Sequence, residues 1–303
     1  MTERVTWRTA GLLTLPPLLW AGNAVIASVV VATLPPLALN ALRWALAFVF
    51  LLPLGWRVFK RPGDIASRWK HLALIGLFGI GCYNAFQYIA LRTSSPINVT
   101  LIAASSSLWM LLIGMVGYRV MPAWRQVAGA LLSIGGVLLV LSRGSVDALL
   151  ALHFVAGDLY MLLATLAWGV YSWMLARPPA SMRAPLRPAW NWAEFLLVQL
   201  VFGAAWAAVA AGVEHAIKPV PIPWSAWLVA ALAYVAIGPA IIAYYAWGVG
   251  VARVGPTMAA LFSNLTPLFT ALLSSALLGQ PPHWYHGVAF VVIAAGIAVS
   301  TRR

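Results

Sequence analysis

The side chains able to recognise a small polar molecule are the few amides and rings that interrupt long apolar stretches. Trp20 and Asn23 are three residues apart, as are Trp168 and Tyr171, so each pair shares one face of a helix. Tyr83, Asn84, Gln87 and Tyr88 cluster in another stretch. Displaced by 160 positions, Asn84 falls on Tyr244 and Gln87 on Trp247. An amide without partners is expensive in hydrocarbon, so Asn23, Asn84 and Gln87 are expected to face a bundle interior or a wet cavity. The candidate binding residues are Asn23, Tyr83, Asn84, Gln87, Trp109, Trp168, Tyr171, Tyr244 and Trp247. Amides there would hydrogen-bond polar ends. Aromatic faces would hold an apolar side chain and attract an ammonium, by about 0.5–2 kcal/mol. Interhelical bonding that merely glues helices together explains any one amide equally well. Convergence on one cavity explains the set better.

Reagents for covalent chemistry are missing. There is no phosphate-binding glycine loop, no G-x-S-x-G, no H-E-x-x-H and no carboxylate cluster. Of six acidic residues, Glu3, Asp64, Asp147 and Glu214 fall in tails or loops, and Asp158 and Glu194 near span ends. His283 and His286 read as an interfacial pair, not a metal site. The expectation is no enzyme, no metal and no cofactor. Arg43 lies some eight residues into an apolar span, roughly 12 Å deep. Either it binds an anionic group of a substrate, or it pairs with helix C-terminal carbonyls or a carboxylate such as Asp158. The structural role is the expectation.

The elements that hold these residues follow from composition. The 303 residues are 63% hydrophobic and 8% charged, against about 25% charged in soluble domains. Apolar runs of roughly 20 residues recur throughout, as in a polytopic membrane protein. The runs do not alternate strictly, so helices are expected rather than a barrel. Ten spans are predicted near 10–32, 35–57, 71–92, 96–118, 123–143, 156–177, 190–213, 224–252, 256–278 and 283–301. The apolar run from Ala10 is read as a retained first span, not a cleaved signal. With the N-terminus inside, 15 of the 19 basic residues fall on the cytoplasmic side, three fall opposite, and Arg43 lies within a span. The positive-inside rule then puts both termini in the cytoplasm. The net charge of +13 is assigned to these loops and not to a nucleic-acid partner. Ten of the sixteen tryptophans, Trp44 among them, lie near predicted span ends or in loops and are assigned to the interfacial belt. Cys82 is the single cysteine, which rules out an internal disulfide.

An internal repeat organises the spans. Ala85–Arg143 lies without a gap on Tyr245–Arg303, matching Pro96 to Pro256, Leu101 to Leu261, Pro122 to Pro282, Trp124 to Trp284, Gly136 to Gly296 and Arg143 to Arg303. Residues 1–150 and 151–303 each hold five spans, and an odd number makes the second copy inverted. Inverted repeats are a device of alternating-access transporters. Interruptions are expected at Pro16-Pro17, Gly79-Ile80, Gly238-Pro239 and Pro267. Such breaks expose backbone groups able to hold a zwitterion's charged ends, or simply bend helices. Spans 5 and 10 are rich in Gly and Ala, so they are expected to pack at the edge. The chain is then a monomer or a homodimer through those two spans.

Several motifs carry a family resemblance. They are Leu19-Trp20-Ala21-Gly22 and Ala167-Trp168-Gly169, Arg43 in Ala41-Leu42-Arg43-Trp44, and Ala90-Leu91-Arg92-Thr93-Ser94-Ser95-Pro96 with Val251-Ala252-Arg253-Val254-Gly255-Pro256. The last is Leu265-Thr266-Pro267-Leu268-Phe269-Thr270-Ala271-Leu272-Leu273. Together they resemble the drug/metabolite transporter superfamily, in its EamA-type branch of ten-helix proteins, and within it the YddG type of amino acid exporter. The resemblance implies a bacterial inner-membrane exporter with a cavity between its halves, moving aromatic and other neutral amino acids outward. This chain departs from the pattern at Gly279-Gln280, where the family has Gly-Glu, and at Tyr118-Arg119. Two rival expectations are an exporter of lipophilic cations and an integral membrane enzyme acting on lipid-linked substrates. Facilitated diffusion and proton antiport through Asp158 or Glu194 both stay open.

Overall fold

The computed structural model describes residues 5–94, 99, 102–151, 155–278 and 283–301, and among them there is no strand. Ten apolar helices account for most of the described chain. They are α1 (Trp7–Val30), α2 (Pro36–Lys60), α3 (Trp69–Ala90), α4 (Ile102–Tyr118), α5 (Trp124–Val140), α6 (Ala156–Ala176), α7 (Trp192–Ile217) and α8 (Ala226–Val254). The last two are α9 (Pro256–Ser263, continued as Thr266–Leu278) and α10 (Trp284–Thr301). Eight stretches are long and apolar enough to cross a membrane, and α4 and α5 are shorter. This is an all-helical polytopic membrane protein. Each helix coincides with an expected span to within a few residues. Glu3, Pro96, Leu101, Gly279-Gln280, Pro282 and Arg303 lie outside the described residues.

Local sequence explains the helix ends. Asn191 accepts from the Glu194 amide while Glu194 accepts from the Asn191 amide, satisfying two donors that a helix start leaves free. Asp158 accepts from the Val155 amide at the start of α6. Glu214, near the end of α7, accepts from the Leu37 and Ala38 amides at 3.0 Å and so caps α2 from another helix. Three of the six acidic residues are thus helix caps. Gly255 alone separates α8 from α9, at φ 83°, a conformation glycine adopts without a Cβ penalty. Pro16 and Pro17 sit within continuous α1 instead of breaking its first turns, because the helix begins earlier, capped by Thr6.

Helix neighbours follow a pattern. α2 packs on α7 and α5 on α10, while α3 lies against α6 and α1 against α8. Exchanging each helix with the one five places along reproduces the same pairs. Small residues make the α5–α10 contact close. A Cβ on Gly136 would meet Ile293 Cγ1 at 2.8 Å and the Ala289 carbonyl at 3.1 Å. The small-residue faces of both helices are therefore used within the chain. Outward faces carry Val49, Leu54, Val116, Leu131, Val209 and Val291, all exposed, as expected of a surface solvated by lipid.

Two irregularities recur at the 160-residue displacement. The α3 segment Leu77–Cys82 and the α8 segment Ala236–Ile242 are π-helical. The turn at Ser105 in α4 matches the break at Asn264-Leu265 in α9. Pro239 lacks the N–H that an α ladder needs, which accounts for the α8 segment.

Candidate functional site

A chamber of about 280 Å³ lies between α1, α3, α4, α6 and α9. It runs from Trp168 to the level of Ser28 and Leu91, at the bundle end where α1 and α3 finish. Asn23, Tyr83, Asn84, Gln87 and Trp168, five of the nine candidate residues, line it. So do Trp20, Tyr88, Ser106, Thr266 and Thr270, and among the described residues no lining side chain is charged. Its size sits near the lower end of small-molecule sites, roughly 300–1,000 Å³.

The polar groups form a connected network. Tyr88 donates its hydroxyl to Asn23 Oδ1 at 3.2 Å. Arg43 Nη1 donates to Asn84 Oδ1 at 2.6 Å and to the Tyr88 hydroxyl at 3.1 Å. Asn23, Asn84 and Tyr88 are thus held in fixed orientations, and a ligand meets a preset surface. Arg43 itself is fully buried. Its partner is neither Asp158 nor a helix end, as the structural reading expected. Asp158 instead holds Val155 and Ser94. Asn84 and Tyr88 of α3 supply the acceptors because they lie one turn apart, facing α2.

Trp168 forms the chamber floor. Its ring meets those of Trp20, Tyr83, Tyr171, Tyr244 and Trp247 at 5.1–5.5 Å between centroids. Trp247 is fully buried behind it, with Nε1 donating to Ser172 Oγ at 3.1 Å. Tyr171 and Tyr244 lie on the far side of this wall. They line a second cavity of about 250 Å³ that extends past Gln199 and His71 to Pro178, Arg187 and Trp192, at the other bundle end. Tyr171 donates to Gln199 Oε1 at 3.2 Å. Tyr244 donates to the Gly79 carbonyl in the π segment of α3. The Tyr171 ring lies against Gly79, where an added Cβ would approach its Cγ at 2.8 Å. The structure therefore divides the nine candidates. Five line the first chamber, two line the second cavity, and Trp247 is inside the wall. Trp109 lines neither and packs beside Gly169.

Sequence reasoning missed Trp44, placed in the interfacial belt. It is fully buried, its Nε1 bonds Asn40 at 2.9 Å, and its ring meets Tyr244 at 5.1 Å and the Arg43 guanidinium at 4.7 Å. The i, i+4 pair Asn40 and Trp44 was the available signal. Ser106 and Thr266 were missed too, although they correspond at the 160-residue displacement and both line the chamber. Among the described residues no cluster of metal-ligating side chains occurs. His286 accepts from the His283 backbone amide, an end cap.

A helical membrane bundle with solute-sized cavities toward opposite ends and a wall of rings between them defines a class of multi-pass protein built around an internal path. The sequence profile of the EamA-like transporter family matches residues 7–142 and 155–302. The chain belongs to that family. It is 26% identical to an uncharacterized transporter of Archaeoglobus fulgidus, over 98% of both chains. It is 30% identical to the aromatic amino acid exporter YddG of Ancylobacter novellus, over 94% of this chain and 93% of that one. A solved crystal structure, 24% identical and covering 97% of this chain, superposes with a TM-score of 0.71, which shows the shared fold.

Proposed function

We propose that this transporter exports aromatic and other neutral amino acids from the cytoplasm by alternating access. The observation that carries the reading is the chamber itself, uncharged along its described lining, edged by amides and floored by rings. Such a surface suits a net-neutral zwitterion with an apolar side chain, and discriminates weakly among such side chains. The name of the Ancylobacter novellus relative supports the substrate class. By the distribution of basic residues, the first chamber faces outward and the second the cytoplasm, with both termini inside and a bacterial inner membrane as the location. The conformation is then closed toward the cytoplasm by the aromatic wall. The chain acts as two inverted halves, 1–150 and 151–303, and the paired irregularities and exchangeable helix contacts support that relation.

Export of lipophilic cations is the weaker reading, because among the described residues no carboxylate lines the chamber. The test is counterflow of labelled tryptophan, phenylalanine and alanine into proteoliposomes holding only this protein, with and without a pH gradient. Exchange without a gradient is expected. Absence of flux for every amino acid, with flux of a lipophilic cation, would overturn the reading.

A further inference from the structure

Arg43 has a feature that its network does not use. Nη1 makes both hydrogen bonds, to Asn84 and Tyr88. Nε and Nη2 are buried and have no partner. These two nitrogens sit side by side on one edge of the guanidinium, the edge whose parallel N–H groups match the two oxygens of a carboxylate. Among the described residues Arg68 pairs with Asp64, whereas no described carboxylate answers this cation. A buried guanidinium with a vacant fork is costly in a membrane interior, and an ionisable group at this depth calls for a partner. The location is also specific. Through Asn84 and Tyr88 the guanidinium adjoins the first chamber. Through Trp44, over which it stacks at 4.7 Å and whose edge meets Tyr244, it adjoins the wall and the second cavity. It lies between the two.

We propose that the Nε/Nη2 edge of Arg43 receives the substrate carboxylate as the substrate passes between the cavities. Arg43 thereby makes the path selective for carboxylate-bearing molecules and against cations. The edge is shut in here, since both nitrogens are buried and the Trp44 ring covers the guanidinium. It becomes available when the wall parts, and a carboxylate then supplies the acceptor that the closed state lacks. The chamber amides and rings give weak discrimination among side chains, whereas the fork discriminates by charge. This rests on the reading that the substrates are amino acids, but its own claim concerns only the carboxylate.

The experiment titrates the purified protein with four matched compounds, phenylalanine, 3-phenylpropionate, phenylalaninamide and phenethylamine. Quenching of intrinsic tryptophan fluorescence is the readout, since Trp20 and Trp168 line the chamber. The wild type is expected to bind phenylalanine and 3-phenylpropionate at least roughly tenfold more tightly than the two compounds lacking a carboxylate, the scale of one charge-assisted bidentate pair. Arg43→Gln is expected to abolish that ratio and Arg43→Lys to keep part of it. Asn84→Asp gives the guanidinium an internal counter-ion and is expected to abolish the ratio while keeping the fold, so the test survives if Arg43→Gln fails to fold. A wild type that binds phenethylamine as well as phenylalanine, or an undiminished ratio in Arg43→Gln or Asn84→Asp, overturns the proposal. Absence of any carboxylate-dependent quenching in the wild type also overturns it. Binding of 3-phenylpropionate with no binding of phenylalanine would overturn the amino acid reading and leave the role of Arg43 standing.

Discussion

Replacing Trp168 with alanine should join the two cavities. Its ring touches five others at 5.1–5.5 Å. Each such contact contributes about 0.5–1.5 kcal/mol beyond burial, so five would total about 2.5–7.5 kcal/mol if they added. They share one ring and cannot add fully. Truncation of a buried tryptophan costs about 3–5 kcal/mol, which is the better figure. Trp168→Ala should therefore unfold at a clearly lower temperature. More telling is transport, because the floor separates about 280 Å³ of chamber from about 250 Å³ of cavity. Without the floor, counterflow of labelled phenylalanine should fall while downhill leak of unlabelled phenylalanine rises. Trp168→Phe keeps a ring and should retain part of the exchange with little leak. Proteoliposomes loaded to equal protein content measure both fluxes. Unchanged counterflow with no leak in Trp168→Ala would refute the assignment of the wall, and with it the separation of the two cavities.

Gln87 lines the chamber, and its loss in Gln87→Ala should weaken apparent substrate affinity by about two- to tenfold, the worth of one hydrogen bond of 0.5–1.5 kcal/mol, measured from the concentration dependence of counterflow. Glu214→Ala removes the cap on α2 and should lower stability by about 0.5–2 kcal/mol in denaturant titration, with flux per folded protein unchanged. Gly136→Val should wedge α5 from α10 and destabilise by about 1–3 kcal/mol. Gly135→Val, where a Cβ meets nothing within 4 Å, should be silent in the same thermal assay.

Apolar run length and punctuation were enough to lay out the ten helices, because hydrocarbon forces every backbone group into a ladder and leaves few alternatives. Chamber residues were legible where an amide marked them, as at Asn23, Asn84 and Gln87. Rings were harder. Trp168 and Tyr171 share a helix face, but three residues rise about 4.5 Å, enough to put them on opposite sides of a wall one ring thick. The same displacement separates Tyr244 from Trp247. Trp109 sits on a helix apolar all round, where hydropathy says nothing of which side faces inward. Trp44 lies nine residues into its predicted span of 35–57, next to Arg43, so its depth was legible and only the general preference of tryptophan for interfaces pointed to the belt.

The two π segments carry a mechanical consequence. Their carbonyls at Gly79 and Pro239 correspond at the 160-residue displacement. Each accepts from a ring on another helix, Gly79 from Tyr244 and Pro239 from Trp20, the latter at 3.3 Å. A π segment stores one residue more than an α ladder of the same rise requires. Sliding that surplus along the helix by a residue turns the side chain it passes by about 100°, as a ruck travels along a carpet whose ends stay put. Tyr83, Asn84 and Gln87 begin where the α3 ruck stops, so the chamber's lining borders the one stretch of α3 that can re-aim without its ends moving.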